Sequence, residues 1–235
     1  MTPHRYGGLA ALYLALVNLV GMVIFLVILD DPHQTTPMER LHLLVDHRGV
    51  VFTTNLLMYI FFGVALVVML IAVYDLLRLT SRGLAQLGLA MGVIWAGSLM
   101  ASGMVANAGA DRVLSLYAVD RAQASLLWQG IEPVANGLGY GNGEILGGLL
   151  TLSLSAAALR SNVFPRYLNL LGLLVGLSGI LSLFPPLTSI LIGVFGLTQV
   201  GWFAWLGIVL MRQHRPSPGL AEAPHPHPAA TPRGA

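Results

Sequence analysis

Residues 128–144, WQGIEPVANGLGYGNGE, are the part of the chain around which the rest is organised, and they run directly into the apolar segment 145–159. Carboxylates, amides and repeated glycines enter there into a chain that is otherwise rich in hydrocarbon. An ionisable side chain at membrane depth is energetically expensive and usually serves a function. The stretch therefore predicts a membrane-spanning helix with a polar centre, in which Glu144 is the deepest charged residue.

The composition of the whole chain favours a membrane setting. Of the 235 residues, 56% are hydrophobic and 9% are charged, whereas a soluble domain carries about 25% charged residues. The chain contains no cysteine, which excludes disulfides, thiolate metal sites and cysteine nucleophiles. All 12 basic residues are arginines, so a Schiff-base lysine is also excluded. The net charge of +2 is small and dispersed, and no nucleic-acid partner is expected.

Apolar runs of about 20 residues recur along the chain, and this length crosses about 30 Å of hydrocarbon. We predict an all-α polytopic membrane protein with a single domain at 1–211 and a disordered Pro/Ala/His-rich tail at 212–235. A short interfacial helix is expected from Glu39 onward, and a loop is expected at 107–131. The six predicted transmembrane helices are 9–29, 50–74, 84–106, 133–159, 167–184 and 187–211.

The arginines divide the connecting segments into two groups. The group that holds both termini has eight arginines and two acidic residues, whereas the other group has four arginines and seven acidic residues. The positive-inside rule assigns the arginine-rich group to the cytoplasm. Six spans agree with this placement, because an even number of crossings returns the chain to its starting side. We therefore expect both termini in the cytoplasm and the protein in the inner (cytoplasmic) membrane.

A short motif recurs at the entrance of two spans. The segment RGLAQLGLAMG, residues 82–92, matches RYLNLLGLLVG, residues 166–176, at each arginine and at both glycines of a GxxxG pair. Small residues four positions apart let two helix backbones approach closely. The two glycine faces either pack inside the bundle or join two chains as a homodimer. Chance similarity between two Leu/Gly-rich spans is a third explanation.

The second copy of this motif also carries a resemblance to a known family. The chain reads FPRYLNLLGLLVG at 164–176 and WFAWLGIVLMR at 202–212, and both segments follow Glu144. These features resemble a broad bacterial family of six-span integral membrane proteins of unknown function, with a Pro-Arg-x-Leu-x-x-x-Gly entry to span five and a Trp-x-x-x-x-Gly pattern in span six. The resemblance covers 145–211 well and the first three spans in outline. It implies the fold and the topology, and it implies no activity.

Four polar residues at the start of the fourth span are spaced by four, which places them in one stripe on a helix: Glu132, Asn136, Tyr140 and Glu144. Pro133 suits a first helical turn, so Glu132 is predicted to cap this helix. Glu144 then lies about 18 Å further along the axis, at membrane depth. The glycines that alternate through the stripe weaken the helix and predict a kink or a partly unwound segment.

A buried Glu144 requires polar neighbours from other spans. The candidate neighbours are Asn18, Asn55, Ser98, Ser102 and Gln199. The predicted ligand-binding residues are Glu144, Tyr140, Asn136 and Asn55. The alternative is that Glu144 is neutral and only hydrogen-bonds between helices.

A second polar cluster lies in the first outer loop. His42, Asp46 and His47 follow Glu39 closely, and His42 and Asp46 share a helical face. This spacing makes the three residues weak candidates for metal ligands, and a solvated amphipathic turn is the alternative. The predicted spans contain no histidine, so a haem held by two histidines is not expected. No cofactor is predicted.

Two functions remain open at this point. The first is a membrane-embedded binding or transport protein for a small hydrophobic or amphipathic molecule or a lipid, with a cavity among spans one, two, four and six. The second is a non-catalytic structural or accessory protein whose main partner is the lipid bilayer. An enzyme is not expected, because the spans contain no complete set of catalytic groups.

Overall fold

The computed structural model describes residues 3–24, 36–139 and 143–213, and this part of the chain is helical and contains no β-strand, as the predicted all-α class requires. A π-helical segment, Leu56–Phe61, joins α3 to α4, and a 3-10 turn, Pro185–Leu187, leads into α9. The α-helices of the described residues are α1 (Pro3–Val23), α2 (Pro37–Asp46), α3 (Arg48–Asn55), α4 (Phe62–Leu77), α5 (Arg82–Tyr117), α6 (Arg121–Gly139), α7 (Gly143–Ser161), α8 (Arg166–Leu181) and α9 (Thr188–Arg212).

Several of these helices have the length and composition of membrane spans, as is typical of a multi-pass membrane protein. The helix α8 is apolar but has only 16 residues, whereas about 20 residues cross a bilayer without tilt or thinning. The fourth long stretch includes residues 140–142, which lie outside the described residues. The five long and apolar stretches are Pro3–Val23, Arg48–Leu77, Arg82–Tyr117, Arg121–Ser161 and Pro185–Arg212.

A closed ring is formed by six of the described helices: α1, α4, α5, α7, α8 and α9. Each packs against the next in this order, and α9 packs back against α1. Neighbouring helices are antiparallel: a Cβ atom on Gly8, near the start of α1, would lie 2.8 Å from the side chain of Met211, near the end of α9. Because the number of helices in the ring is even, each helix can be antiparallel to both of its neighbours. We call the end where α1 begins and α9 finishes the tail end, and the opposite end the cap end.

Glycines set the distance between the two most closely packed helices, α7 and α8. A Cβ atom on Gly148 would lie 2.9 Å from the carbonyl oxygen of Gly176 and 2.9 Å from the amide nitrogen of Ile180. A Cβ atom on Gly179 would lie 2.6 Å from the carbonyl oxygen of Glu144. The two backbones therefore touch, and any side chain at these glycines would force the helices apart.

Both GxxxG faces are covered within the chain. Gly88 on α5 faces Leu154 of α7, and Gly92 faces Leu70 of α4 together with Leu150 of α7. On α8, Gly172 and Gly176 face the opposite side of α7. The repeated motif therefore places α7 between two glycine faces. A homodimer through these faces stays an untested prediction, and it would have to displace contacts that the chain already makes with itself.

A second, smaller core lies beyond the ring at the cap end. It combines α2 with the C-terminal part of α5 and the N-terminal part of α6, and we call it the cap module. Thr36 and Glu39 form a capping box that starts α2, so a short helix is present where one was predicted from Glu39 onward. The buried residues of the cap module are Leu41, Leu44, Ala110, Val113, Ala124 and Trp128.

The loop predicted at 107–131 is wrong. The helix α5 continues to Tyr117, and α6 begins at Arg121, so an antiparallel helical hairpin occupies this segment. Apolar and polar residues are mixed here because one side of each helix is buried in the cap module while the other side is exposed. Val113, for example, is fully buried against α2 and α6.

The helix predicted at 133–159 begins earlier, at Arg121, and the structure describes it up to Gly139 as α6 and from Gly143 as α7. Residues 140–142, where a kink or an unwound segment was predicted, lie outside the described residues. Pro133 lies inside α6, so the prediction that Glu132 caps a helix is also wrong. The Glu132 carboxylate instead accepts a hydrogen bond of 2.9 Å from Arg40 Nη1. This ion pair joins α6 to α2 within the cap module. Its two residues are 92 positions apart in the chain, so the pair could not be predicted from the sequence.

The two groups of connecting segments, one rich in arginine and one rich in acidic residues, lie at opposite ends of the ring, as predicted. Glu39, Asp46, Asp111, Asp120 and Glu132 lie at the cap end, where they accompany arginines. The predicted tail beyond Gln213, like the acidic pair at 30–31, lies outside the described residues. The arginines at helix ends on the tail end are Arg5, Arg78, Arg82, Arg160, Arg166 and Arg212.

Candidate ligand site inside the helix ring

A cavity of about 140 Å³ lies inside the ring, between α1, α4, α5, α7 and α9. Its wall combines aromatic rings, side-chain amides and one carboxyl group with small and apolar residues. The lining residues are Asn18, Met58, Tyr59, Phe62, Trp95, Leu99, Gly139, Glu144, Gly196 and Gln199.

Two separate helices place this cavity at the same depth. Trp95 lies about 20 Å from Arg82 along α5, and Gln199 lies about 20 Å from Arg212 along α9, at 1.5 Å per residue. Both arginines mark the tail end of the ring. Because the hydrocarbon core of a bilayer is about 30 Å thick, the cavity lies about two-thirds of the way from the tail end to the cap end.

Glu144 reaches the cavity because α7 begins beside it. The residue occupies the first turn of α7, and it is buried, with 7% of its surface exposed. The first backbone N–H groups of a helix have no partner within it, and the positive end of the helix dipole stabilises a carboxylate there. Within the described part of the chain, no arginine or histidine forms an ion pair with Glu144. Its carboxyl is therefore available to an occupant of the cavity.

Two further polar side chains of the wall lack hydrogen-bond partners. Gln199 is 2% exposed, and neither its Nε2 nor its Oε1 atom is bonded to another described residue. Trp95 is 6% exposed, and its Nε1 atom also has no partner there. Each buried polar group without a partner costs about 1–3 kcal/mol. These three atoms are closed to a water-sized probe, so they lie behind the surface of the cavity and make the packing of its wall energetically costly.

Aromatic rings form one side of the cavity and hold each other in place. Phe62 meets Trp95 edge-on, with ring centroids 5.8 Å apart and an interplanar angle of 77°. On its other side Phe62 packs against Phe203, with centroids 6.0 Å apart. Tyr59, in the π-helical segment, is 8% exposed and lies one helical turn before Phe62. This packing gives the cavity a fixed apolar wall.

Two serines of α5 secure the end of α6 beside the cavity. Ser102 Oγ donates a hydrogen bond of 2.7 Å to the carbonyl oxygen of Ala135, and Ser98 Oγ donates to the carbonyl oxygen of Leu138. The two bonds tie this part of α6 to α5. Gly139 must be small here, because a Cβ atom would overlap Ser102 Oγ and lie 3.1 Å from the ring of Tyr59.

The structure brings one of the four predicted ligand-binding residues to this cavity. Glu144 lines it, whereas Asn136 lies on α6 away from it. Asn55 is engaged elsewhere, since its Nδ2 donates a hydrogen bond of 3.0 Å to Asn107 Oδ1 on α5. Tyr140 lies outside the described residues.

Of the predicted neighbours of Glu144, Asn18 and Gln199 line the same cavity, whereas Ser98 and Ser102 bond to α6. The aromatic wall was missed by the sequence analysis. One signal could have found it: Trp95 lies in the middle of a predicted span, whereas tryptophans of membrane proteins concentrate near the interfaces.

The weak metal candidates are exposed on the cap module. His42, Asp46 and His47 all lie at the surface, and the ring of His42 packs edge-on against Tyr117 at a centroid distance of 6.4 Å. Within the described ranges, no group of three or more histidine or carboxylate side chains is close enough to hold a metal ion. These residues are therefore described as part of a solvated helix face.

No protein-family model matches this chain, and no curated protein or solved structure matches it. The resemblance to a bacterial six-span family stays a prediction. A functional assignment therefore depends on the chemistry of the cavity.

Proposed function

We propose that this chain is a six-span protein of the inner membrane that binds a small molecule in the ring cavity, as a binding or transport protein. The observation that carries the proposal is a buried carboxyl residue, Glu144, in the wall of a cavity that Gln199 and an aromatic cluster also line. The alternative, in which Glu144 only joins helices, requires a polar partner on another helix. No hydrogen bond from the Glu144 side chain to another described residue supports that alternative.

The size of the cavity limits the occupant. A volume of about 140 Å³ corresponds to about four or five water molecules at about 30 Å³ each. Pockets for drug-sized ligands are larger, at about 300–1,000 Å³. A lipid acyl chain does not fit in this space, so we favour a small polar or amphipathic molecule over a lipid.

The proposed topology has the tail end in the cytoplasm. Arginines cluster at the tail end, and acidic residues accompany arginines at the cap end, as the positive-inside rule requires for a cytoplasmic tail end. The short helix α8 is taken as the fifth span because it packs between α7 and α9 in the ring. A 16-residue helix spans a bilayer by local thinning at modest cost.

We predict opposite labelling of two introduced cysteines. Gly49 on α3 and Gly83 on α5 are both exposed with no atom within 4 Å of an added Cβ, so Gly49→Cys and Gly83→Cys form a matched pair. A membrane-impermeant maleimide added to intact cells should label Gly49→Cys at the cap end. It should label Gly83→Cys only after the membrane is permeabilised. The native chain has no cysteine, so it gives no background. The reverse pattern, or equal labelling, contradicts the topology.

We predict that small reagents in water reach the cavity. Gly196 lines it with no atom within 4 Å of an added Cβ, so Gly196→Cys should react with methyl methanethiosulfonate. Gly97 lies at a similar depth on the exposed side of α5 and is equally open, so Gly97→Cys is the control. A thiol that faces lipid is not ionised and should react at least about 100-fold more slowly, since only the thiolate attacks. Equal rates at the two positions contradict a solvated cavity.

A further inference from the structure

The cavity carries charge of one sign. Glu144 is acidic, and none of the lining residues that the structure describes is an arginine or a histidine. Arg82 and Arg212, at the tail ends of α5 and α9, are about 20 Å away along those helices. An anion here would meet the carboxyl group without a cation to offset the repulsion in a medium of low dielectric constant. A charged occupant of this cavity is therefore a cation.

The aromatic wall favours an organic cation. Tyr59, Phe62 and Trp95 all line the cavity, and a cation within about 6 Å of the centre of an aromatic face is attracted to it. Methylated ammonium groups are the cations that proteins recognise in this way, because their methyl groups also make apolar contacts. A hydrated metal ion gains nothing from such contacts.

The oxygen atoms and the volume of the site do not suit a bare metal ion. Among the described lining residues, side-chain oxygens come from four residues, Glu144, Gln199, Asn18 and Tyr59, whereas a hard divalent cation takes six or more oxygen ligands. The volume of about 140 Å³ also far exceeds that of a single ion.

We propose, on the basis of the function proposed above, that the cavity binds a small methylated ammonium ion. Glu144 pairs with the positive charge, and the aromatic rings contact the methyl groups. The ligand class is that of small methylated amines, of which choline is a representative probe.

Choline and 3,3-dimethylbutan-1-ol test this assignment, because the second molecule has the shape of choline with carbon in place of the charged nitrogen. The full-length protein in detergent is titrated with each by calorimetry. Choline should bind at least about 30-fold more tightly than 3,3-dimethylbutan-1-ol. This ratio corresponds to about 2 kcal/mol, which is the value for a desolvated cation–π contact. Glu144→Gln should reduce the preference, because the carboxylate that pairs with the charge is lost while the aromatic contact stays. Thr198→Val should keep it, because the Thr198 hydroxyl bonds to the Val194 carbonyl of its own helix.

The possible results separate the ligand class from the proposed function. Equal affinity for the two probes in the native protein overturns the ammonium assignment and leaves the cavity as a binding site. If neither probe binds while Gly196→Cys is reactive, the ammonium assignment fails and a solvated cavity remains. If neither probe binds and Gly196→Cys is unreactive, both proposals fail. The comparison of the probes uses the native protein, so it holds even if Glu144→Gln does not fold.

Discussion

Gly179→Val is expected to lower the free energy of unfolding by about 3 kcal/mol, the upper part of the range for overpacked interiors. The reason is that α7 and α8 touch through their backbones at this position. An added Cβ atom would lie 2.6 Å from the carbonyl oxygen of Glu144 and 2.9 Å from the Cα atom of Gly148. Neither backbone atom can rotate away as a flexible side chain would. Unfolding in mixed detergent micelles measures the loss.

The same substitution should also disturb the cavity, because the clashing carbonyl belongs to Glu144. Relief of the clash requires α7 to move away from α8, and the Glu144 carboxyl moves with it. Choline affinity should therefore fall together with stability. Gly97→Val is the matched control, since it introduces the same side chain into a helix where nothing lies within 4 Å of the Cβ atom. A Gly179→Val protein as stable as the Gly97→Val protein would show that the helices are not in backbone contact.

Gln199→Leu is expected to raise the free energy of unfolding of the empty protein by about 2 kcal/mol. The buried amide has two polar atoms without partners, and each costs about 1–3 kcal/mol. Leucine fills a similar volume and removes both atoms, although part of the gain is lost where water occupies the cavity. The same substitution should weaken ligand binding, because a hydrogen-bonding group of the site is lost. Stability gained at the expense of binding is typical of a functional site.

Thr198→Val is the control for this prediction, since it changes the adjacent residue of α9 and leaves the cavity intact. Its hydroxyl already bonds to the Val194 carbonyl at 2.6 Å, so neither stability nor binding should improve. A destabilised Gln199→Leu protein would mean that the amide has a partner in the folded protein. In that case Gln199 holds the helices together and is not part of a ligand site.

The positions of the ring helices follow closely from the apolar runs. The predicted spans 167–184 and 187–211 correspond to α8 and α9, with ends that differ by three residues or fewer. This agreement has a local cause: an apolar run of sufficient length forms a helix in lipid because each backbone group must be bonded within its own segment. The six-span count and the topology, by contrast, are proposals that the cysteine pair tests.

The cap module was not predictable in the same way. Residues 107–131 mix apolar and polar side chains, and such a pattern becomes helical only when a partner covers its apolar side. The partner is α2, which is more than 60 residues earlier in the chain. Pro133 misled the prediction because proline is common in a first helical turn, whereas here it lies inside α6.

The fold class and the approximate helices could be read from the sequence, because hydrophobicity is a property of single segments. Glu144 was singled out as an isolated charge, and the structure places it, buried, in the wall of a cavity. What the tertiary structure alone decided is the composition of the site. The ring helices are apolar on all sides, so their sequences do not specify which side faces inward. Ring closure turns Trp95, Tyr59 and Gln199 toward Glu144, and backbone contact between glycines makes that closure possible.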